Sequence, residues 1–301
     1  MDVKREFNLG DEWIYLKLYS GPKILENILV KELSNLIGEL FDAKIIDKFF
    51  FIRYVDEDYH LRVRFHLVKK SDGIGLIISK INDILLPYSN NSIVWKINYD
   101  TYYRELERYG TKSIADVETL FFVDSLIVLK ALNIMNLEVE EFQEDTRWMY
   151  SIKIIMFFLK SFDIDIDTAI KILDQYSEAM IAEFDLNKYD KNVLNDLYRE
   201  KRGKIETALE NQIITLIDPV LDHFFEQKEF VVAVSNILKL VEEDKLEVQF
   251  VSLIQSLIHM TNNRIFRTNQ RQNETYVYYF MSKGLKSVKA KSKLNYEKLS
   301  G

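Results

Sequence analysis

Histidine and arginine alternate with apolar residues in the segment HLRVRFHL, residues 60–67. Because successive side chains of a β-strand point to opposite faces, His60, Arg62, Arg64 and His66 are expected to share one face. The alternation alone is typical of a strand whose charged face meets solvent. If another part of the chain covers that face, buried guanidinium groups need carboxylate or phosphate partners, and the segment then predicts a site for an anionic substrate or leaving group.

Glu105 and Arg108 stand three residues apart in the segment YYRELERYG, residues 102–110. In a helical turn they are neighbours, so the glutamate could orient the arginine or act as a general acid or base. Ion pairs of this spacing are common on protein surfaces and contribute little to stability. The spacing alone therefore favours a structural role.

His259 lies in a predicted helix, residues 246–264, that is apolar around most of its circumference. One polar stripe recurs on it at helical spacing, formed by Ser252, Gln255, Ser256, His259, Asn262 and Asn263. A helix this apolar is expected to be mostly buried, so the stripe faces either solvent or an internal polar cleft. A lone histidine is more often structural than catalytic, and the stripe leaves both roles open.

The elements that must position these residues change character near residue 110. Before it, strands are predicted at residues 12–19, 48–55, 60–68 and 92–103. A helix of about 18 residues begins at Pro22. A second helix, residues 74–86, is expected to end before Pro87. This βαββαβ order predicts a ferredoxin-like, or split βαβ, antiparallel sheet with both helices on one face.

After residue 110 nearly the whole chain has helical periodicity. We expect an α+β fold in which the ferredoxin-like subdomain, residues 1–110, packs against a larger helical region, residues 111–285, followed by a flexible basic tail, residues 286–301. Phe51, Trp95 and Leu253 are expected in the core. The predicted helices are 113–136, 145–162, 166–185, 188–212, 218–241 with a break near 226–229, 246–264 and 270–285.

Composition excludes several classes of protein. The 301 residues include 40 basic and 47 acidic side chains, and this net charge of −7 argues against direct binding of nucleic acid. The absence of cysteine excludes disulfides, thiolate metal sites and a cysteine nucleophile. Apolar stretches such as residues 154–159 are far shorter than the roughly 18 residues of a membrane span. No phosphate-binding loop or zinc motif occurs. We expect a cytoplasmic protein without a metal or cofactor.

Four blocks, taken together and in order, resemble the C-terminal domain of lantibiotic dehydratases, which also occurs as a free-standing thiopeptide-type bacteriocin biosynthesis protein. The resemblance covers about residues 12–285. The blocks are WIYLKLY at 13–19, FFIRY at 50–54 with HLRVRF at 60–65, YRELERYG at 103–110, and SLIHM at 256–260 with NNRI at 262–265.

The resemblance implies a lyase that eliminates glutamate from glutamylated Ser or Thr of a precursor peptide, leaving dehydroalanine or dehydrobutyrine. Because 301 residues leave no room for a domain that reads glutamyl-tRNA, a separate glutamylation protein is the implied partner. The positions that match the family's functional residues are Arg62, Arg64, Glu105, Arg108 and His259.

Each matching residue has an expected role in this chemistry. The three arginines would hold the glutamyl group and counter negative charge as it develops, and Glu105 would orient an arginine. His259 is expected to transfer the proton, because an imidazole exists in both protonation states near neutrality. The assignment requires side chains distant in sequence to gather in one pocket of positive potential.

Two alternatives remain at the level of sequence. Relatives of the same fold include thiopeptide pyridine synthases, which join two dehydroalanines in a formal aza-cycloaddition. A cyclase has no need to bind a glutamyl ester, so the match at all five positions favours the lyase. The other alternative is a non-catalytic module that binds the peptide, and the sequence also leaves a homodimer open.

Overall fold

The computed structural model describes residues 3–137, 143–210 and 216–299. Packing divides the chain into two compact units. The first unit comprises Met1–Asn133 and Lys228–Leu253, and the second comprises Ile134–Gln227 and Ile254–Gly301. This division differs from the predicted segments because residues 111–133 and 228–253 pack in the same unit as the sheet.

An antiparallel sheet of four strands forms the centre of the first unit. Its strands are β2 (Trp13–Tyr19), β3 (Ile46–Val55), β4 (Tyr59–Leu67) and β5 (Lys96–Asp100), and their spatial order is β3-β4-β2-β5. Two short strands, β1 (Glu6–Phe7) and β6 (Tyr102–Tyr103), pair with each other beside it. The four-stranded order is that of a ferredoxin-like sheet, so the predicted topology and the α+β class are confirmed.

The two connections between strands are helical, as the βαββαβ pattern requires. The first consists of α1 (Pro22–Asn27), a π-helical segment (Ile28–Leu33) and α2 (Ser34–Asp42). The second is α3 (Lys70–Asn90), which contains Pro87, so the prediction that it ends at residue 86 is wrong. Pro87 lies in the last turn, where the loss of one backbone hydrogen bond costs little of the helix.

One predicted strand is divided in two. Residues 92–103 were expected to form a single strand, but pairing stops at Asp100 and resumes at Tyr102 with β1 as the new partner. The interruption is at Thr101, whose amide donates to the Asp100 side chain at 2.8 Å instead of to a strand. Trp95 precedes β5 and is 50% exposed, so its assignment to the core is wrong.

Helix α5 (Ile114–Met135) contacts the edge of the sheet at β3, where Phe121 and Phe122 pack against Phe50 and Phe49. The buried hydroxyl of Ser125 on α5 accepts a hydrogen bond from the backbone amide of Phe51 at 3.3 Å. An uncovered edge strand presents unpaired amide groups to other chains. The serine therefore accepts a hydrogen bond from an amide of the edge strand.

Phe51 is fully buried, and its replacement by leucine is expected to lower the free energy of unfolding by about 1–2 kcal/mol, since the smaller side chain leaves a cavity. Urea titration measures this change. Trp95→Leu is the matched control, because substitutions at exposed positions usually change stability by less than about 0.5 kcal/mol. Equal losses for the two variants would contradict the placement of Phe51 in the core.

After residue 110 the described chain is almost entirely helical, as predicted, and the short helix α4 lies just before that point. The break expected near residues 226–229 is present between α9 and α10. The prediction for residues 211 and 212 lies outside the described residues. The helices are α4 (Leu106–Tyr109), α5 (Ile114–Met135), α6 (Gln143–Ser161), α7 (Ile166–Glu183), α8 (Lys188–Glu210), α9 (Asp218–Phe225), α10 (Lys228–Glu242), α11 (Phe250–Ile265) and α12 (Gln270–Leu299).

The last helix is longer than the sequence predicts. A helix was expected to end at residue 285 before a flexible tail, but α12 continues to Leu299. Lys286 of this extension forms an ion pair with Asp174 on α7 at 2.7 Å, and Lys289 pairs with Asp167 on the same helix. The basic residues that suggested a solvated tail therefore form ion pairs with carboxylates of α7. These ion pairs favour continuation of the helix. Residues 300 and 301 lie outside the described chain.

Candidate active site

Strand β4 presents its basic residues on one face of the sheet, as the alternation predicts. Its apolar residues Leu61, Val63 and Phe65 are fully buried on the other face. Arg64 is paired in register with Tyr15 of β2 and with Phe50 of β3, so side chains of three strands surround it. We call this side of the sheet the arginine face.

Arg64 is 7% exposed and lies among aromatic rings. Its guanidinium carbon is 4.3 Å from the ring centre of Tyr15, 4.8 Å from that of Tyr102 and 5.0 Å from that of Phe50. Burial lowers the pKa of Arg64 below its ordinary value. An arginine nevertheless keeps its charge at neutral pH, and the rings stabilise the cation through their negative faces.

Two donors of Arg64 are unsatisfied. Nε and Nη1 are buried, and neither has a hydrogen-bond partner within the described part of the chain. The indole nitrogen of Trp13, whose ring contacts those of Phe50 and Tyr102, is likewise buried without a partner there. Leaving a buried charged donor unpaired is costly, and such groups are commonly completed by a ligand. A carboxylate is the natural partner of a guanidinium.

Arg62 lies beside Arg64 and is held by two contacts. Its guanidinium carbon stacks 3.5 Å from the ring centre of Tyr54. Its Nε donates to Nε2 of His60 at 3.0 Å. Both contacts leave the terminal nitrogens uncommitted, and no other described residue accepts a hydrogen bond from them.

Lys17 adds a third cation to the arginine face, and the sequence analysis missed it. It is the register partner of Arg62, and its Nζ forms an ion pair with Asp100 at 2.5 Å. Desolvation alone would lower the pKa of Lys17, but Asp100 outweighs it and the pKa is raised. The alternation in β2 could have predicted this position of Lys17. It places Trp13, Tyr15, Lys17 and Tyr19 on one face of the strand and Ile14, Leu16 and Leu18 on the other.

Glu105 precedes the short helix α4, and Arg108 lies within it. Arg108 Nη1 is 3.6 Å from Glu105 Oε2, and their side chains are 38% and 64% exposed. Both are thus more accessible than Arg64, although the negative charge of Glu105 acts on Arg64. Helix α4 ends at Gly110, whose φ of 77° is a backbone conformation that suits glycine.

Arg104 anchors the chain just before α4, a role that the sequence did not reveal. Its Nε and Nη2 donate to the two carboxylate oxygens of Glu118 on α5, at 2.7 and 2.6 Å. The hydroxyl of Tyr102 donates to the same carboxylate at 2.9 Å. Glu118 is buried, so this bidentate pair fixes the turn that carries Glu105.

His259 is half-buried on α11, and a carboxylate orients its ring. Nδ1 is 2.9 Å from Oε1 of Glu274 on α12. Tyr278 donates to that oxygen at 2.5 Å, and Arg271 donates to the other carboxylate oxygen at 2.6 Å. Nε2 of His259 has no hydrogen-bond partner among the residues that the structure describes. A carboxylate-oriented imidazole with a free second nitrogen is the arrangement used in general acid–base catalysis.

Burial alone would raise the pKa of Glu274, but hydrogen bonds from His259 and Tyr278 and the charge of Arg271 lower it below 4.5. This carboxylate therefore stabilises the fold fully above pH 4.5, and its contribution is lost as the pH falls below that value. We expect Glu274→Gln to reduce the dependence of the unfolding free energy on pH below 4.5. Urea titrations across this range measure the slope.

The control for this prediction is Glu178→Gln, which changes an exposed carboxylate of α7. It is expected to keep the wild-type slope. An unchanged slope in Glu274→Gln would show that Glu274 is not a stabilising carboxylate in the folded protein.

The polar stripe of α11 extends from the surface into the interior. Ser252 and Gln255 are exposed, whereas Asn262 is fully buried and its side-chain oxygen accepts from the Ser151 hydroxyl at 2.6 Å. His259 lies between these two ends. The sequence left open whether the stripe faces solvent or the protein interior. The structure shows both: its first residues are exposed to solvent, and its last residues belong to a buried polar network.

The structure brings four of the five predicted residues into the first unit. Arg62 and Arg64 lie side by side, Glu105 acts on Arg64 electrostatically, and Arg108 lies next to Glu105. His259 belongs to the second unit. Its participation in one site with the arginines stays a prediction.

The described ranges contain neither a cluster of metal-binding side chains nor a helix that could span a membrane. No group of three or more His, Asp or Glu side chains there could hold a metal ion. No described helix combines the length and the apolar character needed to cross a bilayer.

Comparison with known proteins identifies the family. The family model for the C-terminal region of lantibiotic biosynthesis dehydratases matches residues 13–285. This chain belongs to that family. The match covers the arginine face, α4 and His259.

Curated relatives include the biosynthesis proteins of nisin and epidermin. The nisin biosynthesis protein NisB of Lactococcus lactis subsp. lactis is 26% identical over 291 residues, which are 93% of this chain and 26% of NisB. The epidermin biosynthesis protein EpiB of Staphylococcus epidermidis is 26% identical over 277 residues, 92% of this chain and 26% of EpiB. The chain thus spans about a quarter of the length of these relatives.

Solved structures share the fold at low sequence identity. The tRNA-dependent lantibiotic dehydratase MibB from Microbispora sp. 107891 aligns with a TM-score of 0.68 at 19% identity, covering 92% of this chain and 28% of MibB. The pyridine synthase TbtD from thiomuracin biosynthesis aligns with a TM-score of 0.62 at 12% identity, covering 92% of this chain and 99% of TbtD. Members of this fold therefore occur both within larger proteins and as single chains.

Proposed function

We propose that this chain eliminates glutamate from glutamylated Ser or Thr residues of a ribosomal precursor peptide and so forms dehydroalanine or dehydrobutyrine. It would act as the lyase component of a lantibiotic-type dehydratase, in the cytoplasm. Membership of the lantibiotic dehydratase C-terminal family supports the reaction class. The five residues that match the family's functional positions, retained in this chain, support the elimination step.

The observation that carries the proposal is the environment of Arg64. A guanidinium buried among three aromatic rings has two donors without a partner in the described chain. The glutamyl ester supplies a carboxylate on its side chain and generates a second one when it leaves. Arg62, with uncommitted terminal nitrogens, lies beside Arg64 and doubles the positive charge available to these groups.

The elimination transfers one proton and breaks one bond. A base removes the Cα proton of the esterified residue, the electron pair forms the Cα–Cβ double bond, and the Cβ–O bond breaks to release glutamate as a carboxylate. The Cα proton is weakly acidic, so the developing negative charge requires stabilisation. We assign charge stabilisation to Arg62, Arg64 and Arg108, and the orientation of Arg108 to Glu105.

His259 is the proposed proton-transfer residue. Glu274 holds its Nδ1, so Nε2 is the nitrogen left to take up the Cα proton. This pairing supports the assignment because a carboxylate stabilises the imidazolium that forms during proton transfer. Glu274, Tyr278 and Arg271, which surround this pairing, lie in the same unit as His259.

The substrate implies a partner. A glutamyl ester on Ser or Thr has to be made by an activity that uses glutamyl-tRNA, on another protein or another domain. The precursor peptide would then pass from that activity to this one. No nucleic acid needs to contact this chain, in keeping with its net charge of −7.

The test is a reaction of the purified protein with a precursor peptide that carries a glutamyl ester on serine. Mass spectrometry is expected to show loss of glutamate and the appearance of dehydroalanine. An intact glutamyl ester after incubation with folded protein would refute the proposal. Binding of that peptide without turnover would indicate a non-catalytic peptide-binding module.

A pyridine synthase is the second candidate, because the chain covers 99% of the pyridine synthase TbtD. This reaction would join two dehydroalanines of one peptide by a formal aza-cycloaddition. A peptide with two dehydroalanines and no glutamyl ester distinguishes the candidates. Consumption of that peptide, with no reaction of the glutamylated one, would favour the cyclase over the lyase.

A further inference from the structure

His60 is completely buried on the arginine face, between aromatic side chains. Its ring stacks on Tyr19 with centres 4.6 Å apart and lies 5.6 Å from the ring centre of Tyr54. Nδ1 is 3.0 Å from the backbone oxygen of Asp58, and Nε2 is 3.0 Å from Nε of Arg62. Both ring nitrogens are therefore engaged.

The partners of these nitrogens determine the tautomer. A carbonyl oxygen only accepts a hydrogen bond, so Nδ1 of His60 carries the proton. The Nε of an arginine only donates, so Nε2 must present its lone pair to Arg62. A protonated His60 would lose this acceptor and would place a second positive charge against the guanidinium. Only the neutral Nδ1–H form fits the observed contacts.

Charges from each surrounding element act on His60. Burial is the largest influence and lowers its pKa below 6.5. Asp56 in the β3–β4 turn, with a carboxylate oxygen 3.6 Å from Nδ1, opposes this effect. Arg62 on the same strand and Lys17 on β2 lower the pKa further. The ring is thus neutral at physiological pH, as the hydrogen bonds require.

This neutral ring restrains a guanidinium that has few other contacts. The Nε–H of Arg62 is directed to His60 while the planar group lies 3.5 Å from the ring centre of Tyr54. Two fixed contacts of this kind set both the direction and the plane of the guanidinium. The terminal nitrogens, which have no partner elsewhere in the described chain, then form a fork with a defined orientation.

We propose that His60 is a positioning residue, which holds Arg62 against Tyr54 so that the two terminal nitrogens bind a carboxylate of the glutamyl group. The proposal rests on the proposed elimination and deepens it. His60 itself neither touches substrate nor transfers the proton. Its function is to reduce the number of orientations that Arg62 samples before substrate binds.

The first test is independent of activity. Nitrogen-15 NMR of histidine-labelled protein, with His60 assigned from the His60→Gln spectrum, reports which ring nitrogen carries the proton. The Nδ1–H form is expected at neutral pH. Detection of the Nε2–H form, or of a doubly protonated ring at that pH, would overturn the proposal.

The second test measures KM for a precursor peptide with a glutamyl ester on serine. His60→Leu removes the acceptor, and we expect it to raise KM by about tenfold, since a hydrogen bond to a charged group is lost. His60→Gln keeps an acceptor and a donor and is expected to recover most of the affinity. His66→Gln, on the same face but paired with Asp47, is the matched control and should leave KM unchanged.

The pH dependence of KM separates positioning from a structural defect. In the wild-type protein KM is expected to rise as the pH falls through the pKa of His60, which burial lowers below 6.5, because protonation of His60 releases Arg62. Glutamine at this position should abolish that rise. Suppose that the wild-type protein eliminates glutamate. If the pH dependence of KM in His60→Gln is then identical to that of the wild type, His60 does not position Arg62. Absence of elimination in the wild type would refute the proposed function instead, and the NMR tautomer would still decide the orientation of His60.

Discussion

Arg64→Lys is expected to lower kcat/KM for glutamate elimination by about a hundredfold, in the range observed when one donor to a developing anion is removed. Lysine retains the charge but presents a single ammonium group. It cannot replace the two buried donors Nε and Nη1, and it has no planar group to lie against the rings of Tyr15 and Tyr102. Mass spectrometry of timed reactions with a glutamylated peptide measures the loss.

The control for this variant is Arg199→Lys on α8, an exposed arginine paired with Asp196. It should retain the wild-type kcat/KM. A circular dichroism spectrum and a urea midpoint close to those of the wild type would show that Arg64→Lys is folded. Wild-type kinetics in the folded Arg64→Lys protein would remove Arg64 from the site.

His259→Asn is expected to lower kcat by about a thousandfold, in the range that a general base contributes. Asparagine preserves polarity and approximate size but cannot accept the Cα proton. The substrate should still bind, because the arginines remain, so KM is expected to change little. Glutamylated peptide should therefore accumulate when the variant is combined with a glutamylating activity.

His223→Asn on α9 is the matched control, since it replaces an exposed histidine of the same unit. Its kcat should equal that of the wild type. Glu274→Gln should lower kcat less than His259→Asn does, because the imidazole is retained but loses its carboxylate partner. A His259→Asn protein with full turnover would assign proton transfer to another residue.

Local patterns predicted much of the fold. Alternation in residues 60–67 correctly placed Arg62 and Arg64 on one face, because a period of two is a geometric property of a strand. The βαββαβ order predicted the strand order of the sheet. Helix extents were less accurate where a distant partner decided them. Lys286 and Lys289 suggested a solvated tail because their carboxylate partners, Asp174 and Asp167, lie more than 100 residues earlier in the chain.

The site was predictable only in part, for the same reason. The sequence singled out Arg64, but the aromatic rings around it come from β2, β3 and β6, which only the strand register brings together. No sequence motif marks Glu274. Its pairing with His259 depends on how α11 lies against α12, which the sequence does not show. His60 and Arg62 are only two residues apart in the sequence. Their contact nevertheless became interpretable only when the structure showed that His60 is buried.

The two outer strands of the sheet are protected in different ways. The edge at β3 gives its Phe51 amide to Ser125, whereas β5 is only five residues long and has Lys96 and Asp100 at its ends. Short edges with terminal charges are poor templates for the addition of foreign strands. If the chain acts on an unfolded precursor peptide, as we propose, it works beside a polypeptide with many free amides, and the edges of this sheet would give that peptide little opportunity to add as a further strand.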